Sequence, residues 1–126
     1  MHKSRLGGLI IDCETEDLGA AADFWSRALG YQSKVSSKPE DQGYILLQTE
    51  PDEPHIEVQQ VTHSSRVHID IETDDIDAEA SRLENLGAKR IAKVRDWWVM
   101  QAPTGHRFCV VRVQRETFSE RANTWR

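Results

Sequence analysis

The sequence predicts an α+β fold in which one βαβββ unit occurs twice, in tandem, within one domain. Three observations carry that prediction. Apolar runs and turn signals follow the order strand, helix, three strands, and then repeat it. Each helix is closed by a glycine, in Leu29-Gly30-Tyr31 and in Leu86-Gly87-Ala88. The chain has 126 residues, which suits one compact domain and is short for two.

The elements follow in order. Leu9-Ile10-Ile11 reads as the first strand. Asp17 is placed to cap a helix whose apolar stripe is Leu18, Ala22, Trp25 and Leu29. Gly30 then supplies a left-handed stop. Tyr31 to Val35 reads as a second strand, 36–43 as a polar loop, Tyr44 to Leu47 as a third strand and His55 to Val61 as a fourth, after the turn at 51–54. The second unit opens with the alternating segment Val67 to Glu72. Asp74 or Asp75 caps a helix carrying Ile76, Ala80, Leu83 and Leu86, and Gly87 ends it. Strands follow at Arg90 to Val94, Trp97 to Gln101 and Arg107 to Val113, with Pro103-Thr104-Gly105 turning between the last two. The expected division is repeat one at about 6–61, repeat two at about 66–113, and a polar C-terminal tail over 114–126. Phe118 and Trp125 would anchor that tail.

Composition narrows the function. Sixteen basic residues against 21 acidic ones give a net charge of −5. Nucleic acid is disfavoured as a partner, because phosphate binding wants clustered Lys and Arg. No apolar run approaches the roughly 20 residues of a membrane span, and none reads as a signal-peptide core. A cytoplasmic location is expected. Cys13 and Cys109 lie far apart in apolar runs and read as small buried hydrophobes.

Three segments resemble the vicinal oxygen chelate superfamily, the group of glyoxalase I, extradiol dioxygenases, fosfomycin-resistance enzymes and bleomycin-binding proteins. The first is Asp17 to Tyr31, with its Asp-Phe-Trp-Ser-Arg-Ala-Leu-Gly-Tyr ending. The second is Val67-His-Ile-Asp-Ile-Glu through to Leu-Gly-Ala88. The third is Ala102-Pro-Thr-Gly-His-Arg-Phe-Cys-Val110. The match is closest to the subgroup of glyoxalase-like domains. The resemblance implies two curved mixed sheets forming a cup-shaped cavity with the helices outside, a small-molecule ligand, and a homodimer.

It also implies where to look for chemistry. Metal-using members take up to two ligands from each repeat, one on its first strand and one on its last. Carried over, those positions fall near Gly8 to Ile10, then on Glu57, His68 and Arg107. Two of the four cannot ligate, and an arginine repels a dication. No metal cofactor is therefore expected, with Glu57 and His68 as residual ligand candidates. Glu57 and His68 are instead the expected acid–base pair. Arg107 offers a fork for a carboxylate or phosphate, or a salt bridge to Glu57. Gln59 shares the face of Glu57. Adjacent Trp97 and Trp98 must point to opposite sides of their strand, and one of them would stack on a ligand. Alternation sets His68, Asp70 and Glu72 on one face, with Val67, Ile69 and Ile71 packing on helices.

Two function classes fit. One is a metal-independent lyase- or isomerase-type enzyme acting on a small oxygenated metabolite. The other is a non-catalytic binding protein of the bleomycin-resistance kind, sequestering an antibiotic. Metal-dependent lyase or dioxygenase chemistry with substituted ligands is a weaker third.

Overall fold

The computed structural model describes all 126 residues. Its elements are β1 (His2–Glu14), α1 (Leu18–Leu29), β2 (Ser33–Val35), β3 (Tyr44–Leu47), β4 (His55–Val61), β5 (Arg66–Thr73), α2 (Ile76–Asn85), β6 (Lys89–Val94), β7 (Trp97–Gln101), β8 (Arg107–Arg112), α3 (Phe118–Arg121) and β9 (Asn123–Trp125). The chain forms two compact units. One runs from Leu9 to Val67, and the other joins Met1–Gly8 to His68–Arg126.

In the Leu9–Val67 unit the strands lie in the order β2-β3-β4-β1, and the first two pairings are antiparallel. Asp17 caps α1 by accepting from the Ala20 amide at 3.0 Å. Gly30 ends it at φ 80°, a conformation that favours glycine. The helix buries Ala22 against Cys13, Ile45, Leu47 and Val58, with Trp25 and Leu18 at the margin.

In the second unit the order is β1-β5-β8-β7-β6, with β5 and β8 parallel and β6, β7 and β8 antiparallel. Asp75, rather than Asp74, caps α2 through the Ala78 amide. The helix packs Ala80 and Leu83 on Met100 and Val110, flanked by Ile71, Trp98 and Phe108.

Glu72 is fully buried, and its carboxylate accepts from Arg5 Nε at 2.7 Å and Arg115 Nε at 3.2 Å. Gly7 runs against it: a Cβ there would lie 3.0 Å from Glu72 Cβ and 3.1 Å from its backbone nitrogen. Only glycine lets the two strands approach so closely.

Several elements differ from the sequence reading. The first strand is 13 residues long and not confined to Leu9–Ile11. Its early, polar half is held by partners distant in sequence, such as Glu72, that no local pattern shows. The second strand begins only at Ser33, because the Tyr31 amide still bonds back to Ser26 of α1. The polar loop contains a 3₁₀ turn at Pro39–Asp41. The expected tail is structured: α3 buries Phe118, and β9 pairs with the start of β1, with His2 opposite Trp125. Val67 and Ile69, expected under helices, are 59% and 44% exposed, and of the three only Ile71 joins the α2 core. The ends of the two helical stripes, Leu29 and Leu86, are also exposed.

Candidate functional site

Alternation and register together place the polar side chains. On β5, Ile71 joins the α2 core, so Asp70 and His68 face away from that helix. On β8, Phe108 and Val110 touch the α2 core, so Arg107 and Cys109 face the other way. The parallel pairing sets Asp70 directly opposite Cys109. The β7–β8 pairing sets Val99 opposite Cys109 and Gln101 opposite Arg107. One sheet face of this unit thus carries His68, Asp70, Cys109, Arg107 and Trp97.

His68 Nε2 stands 3.4 Å from Asp70 Oδ1, and the two side chains are 14% and 13% exposed. Asp70 Oδ1 is buried and accepts no hydrogen bond. One donor atom from each of His68, Asp70 and Cys109 lies within 4.8 Å of the other two. A nitrogen, an oxygen and a sulfur donor at this spacing fit a borderline divalent cation, to which imidazole, carboxylate and thiolate all bind.

The two tryptophans separate as alternation requires. Trp98 lies on the α2 side, donating its indole N–H to Asp77 Oδ1 at 3.1 Å, with Arg90 and Lys93 over its ring. That N–H and then Lys93 hold the Asp77 carboxyl below its ordinary range. Trp97 is on the His68 face, with the Arg95 guanidinium 5.9 Å from its ring centre. His106 is exposed and bonds Thr104 Oγ1 at 2.7 Å, so it has no part in this face.

In the Leu9–Val67 unit, Glu57 and Gln59 share the face away from α1, opposite Leu46 and Tyr44 of β3. Gln59 Nε2 donates to the Tyr44 hydroxyl at 2.9 Å. Asp12 takes the same side of β1, since its neighbour Cys13 belongs to the α1 core. It is 2% exposed, and Arg66 Nε lies 3.8 Å from its Oδ2.

The cysteines differ, and one corrects the sequence reading. Cys13 is buried as expected, and burial first, then the Asp12 carboxylate, push its thiol pKa up. Cys109 is only half-buried and stands in the polar cluster. Sequence reasoning missed Asp70 and Cys109 as site residues. Alternation had already put Asp70 on the face of His68. What local pattern could not supply was the parallel register that joins the two strands.

Residues 8–111 match the family model described as a glyoxalase-like domain. No curated protein sequence matches this chain. Among solved structures, a hypothetical protein from Bacillus halodurans is similar at a TM-score of 0.63 and 14% identity, over 90% of this chain and 96% of that one. A variant of Streptomyces coelicolor methylmalonyl-CoA epimerase in complex with 2-nitronate-propionyl-CoA gives 0.59 and 18%, over 86% and 96%. The methylmalonyl-CoA epimerase from Mycobacterium tuberculosis gives 0.58 and 15%, over 90% and 91%. At these identities the likeness is one of fold, and it agrees with the strand–helix order derived above. The family model spans most of the sequence, and on that ground the chain belongs to the glyoxalase-like domain family of the vicinal oxygen chelate superfamily.

Proposed function

We propose that this protein binds a small oxygenated metabolite bearing an anionic group and acts on it as an isomerase- or lyase-type enzyme. The observation that carries the reading is the sheet face on which His68, Asp70 and Cys109 come together beside Arg107 and Trp97. Arg107 would take the ligand's carboxylate or phosphate with its planar fork. Trp97 would supply an apolar wall. Asp70 would orient the His68 imidazole, which would support the ligand's carbonyl oxygen as charge develops on it. Stabilising that oxygen acidifies the neighbouring carbon, the step shared by isomerases and lyases of this type. The released proton would go to the Asp70 carboxylate on the same face, since Glu57 lies in the other compact unit. The methylmalonyl-CoA epimerases among the structural neighbours are named for a substrate with the required features, an acyl thioester bearing a carboxylate.

The experiment is solvent-deuterium exchange at the carbon next to the carbonyl, monitored by NMR for a panel of carboxylated acyl thioesters and 2-oxo acids. Exchange is expected with at least one panel member. Asp70→Asn should abolish exchange with binding retained, and Arg107→Ala should weaken binding. Tight binding with no exchange anywhere in the panel would overturn the enzyme reading in favour of a sequestering protein. A homodimer is also proposed. It is supported by the exposed apolar side chains Val67 and Ile69 on β5 and Val113 beyond β8. A monomeric mass by light scattering would remove it.

A further inference from the structure

Taking Arg107 as the anion anchor of the proposed function, we propose that the substrate is an acid with an apolar tail ending in a planar ring, its carboxylate at Arg107 and its ring on Trp97. Polarity is graded along the face that carries both residues. Directly opposed residues of an antiparallel ladder point to the same side. The row through Arg107 is Lys89, Gln101 and Arg107. The next row is Ala92, Val99 and Cys109, and the one beyond joins Val94 to Trp97. The face thus passes from two cations and an amide, across Ala92 and Val99, to Val94 and the indole. All of these residues belong to the unit that contains His68–Arg126.

The two ends of the face are prepared differently from similar residues elsewhere in the unit. Arg82, Arg90 and Arg112 each pair with a carboxylate of the chain. Arg107 is half-buried and has no such partner, so its guanidinium is left to an anion from outside. Trp98 gives its N–H to Asp77 and lies under two cations, whereas Trp97 has only the Arg95 guanidinium near its ring. Between the ends the apolar groups are open to a ligand: Val94 is 38% exposed, Ala92 is exposed, and Val99 is half-buried. Trp97 stands four residues from Gln101 along β7, about 13 Å at the rise of a strand. A chain of roughly four to six carbons, at bonds of about 1.5 Å, carries a ring across that gap once the reach of the arginine is counted. A short acid would use one end of the face and leave the apolar strip in water.

The test is binding of the full chain, by NMR titration, to a series of 2-oxo acids. The series runs from 2-oxobutanoate, which has no ring, through 2-oxo-4-phenylbutanoate to 2-oxo-6-phenylhexanoate. Affinity is expected to rise about two- to fourfold with each added methylene. The ring itself should add about tenfold. A flat series on the unmodified protein would overturn the proposal without any variant. Trp97→Ala should bring 2-oxo-6-phenylhexanoate down to the affinity of 2-oxohexanoate, its ringless counterpart. Arg107→Ala should weaken every member by a similar factor. Trp98→Phe, on the α2 side, should reproduce the parent series. A ring gain that survives Trp97→Ala, or that Trp98→Phe removes, puts the ring elsewhere and overturns the proposal. Binding is read without turnover. A graded series with no deuterium exchange therefore sinks the reaction alone, exchange with a flat series sinks the tail alone, and no binding by any member sinks both.

Discussion

Glu72 shows how a single side chain is made indispensable. It is fully buried, and two arginines, Arg5 and Arg115, point their guanidinium nitrogens at its carboxylate. The Gln114 amide donates to its other oxygen at 3.2 Å. Burying such a cluster is no guarantee of stability, but removing one partner strands the others' charges away from water. Glu72→Gln is expected to lower unfolding free energy by about 3 kcal/mol, read from urea denaturation midpoints at unchanged slope. A change within a few tenths of that of an exposed control would contradict this. At this scale the sequence was half legible. Alternation gave the face of Glu72, but its partners Arg5, Gln114 and Arg115 lie 42 or more residues away along the chain.

At the level of elements, the two helices were the most readable part of the molecule. Their stripes, their aspartate caps and their closing glycines are all local features, and local physics decides them. Asp17→Ala and Asp75→Ala each remove an acceptor for a first-turn amide, bonded at 3.0 Å in both cases. Each is expected to reduce stability by about 1 kcal/mol, measured by thermal or urea unfolding. The substitution Asp74→Ala serves as the contrast for Asp75, since Asp74 does not cap α2 and instead accepts from the Lys3 amide at 2.8 Å. Strand ends were read less well. Where β1 begins depends on β5 and β9, and pairing between strands far apart in sequence leaves no periodic trace in either one.

Across the whole chain, the two ends meet in the discontinuous unit. The Trp125 indole donates to Ser4 Oγ at 2.7 Å, and the Arg82 guanidinium lies 3.8 Å over its ring. Arg82 in turn forks onto Glu79 with two contacts of 2.8 Å, and His2 Nε2 lies 2.7 Å from the same carboxylate. Burial alone would raise the pKa of Glu79, but Arg82, Ser4 and His2 outweigh it and hold the group below its ordinary 4.5. A carboxyl whose folded value is depressed contributes stability above its unfolded value, and that contribution is lost as pH falls. Unfolding midpoints should therefore drop as pH is lowered below about 4.5. In Glu79→Gln they should start lower at neutral pH and fall less steeply with acid. Parallel acid limbs for the two proteins would refute the assignment.

The division of the chain also dictates an order of assembly. Met1–Gly8 belongs with His68–Arg126, while Leu9–Val67 is continuous. As the polypeptide leaves the ribosome, Met1–Gly8 emerge long before their partners in His68–Arg126 exist. The intervening unit has all its own residues in hand first, and domains tend to fold as their residues become available. The first half of β1, up to Gly8, must wait, its backbone amides bonded to water, until β5 and then β9 are synthesised. Nascent chains stopped shortly after Val67 should already protect the core around Leu47 and Val58 from proteolysis, while Arg5 and its neighbours remain cleavable until β9 has emerged.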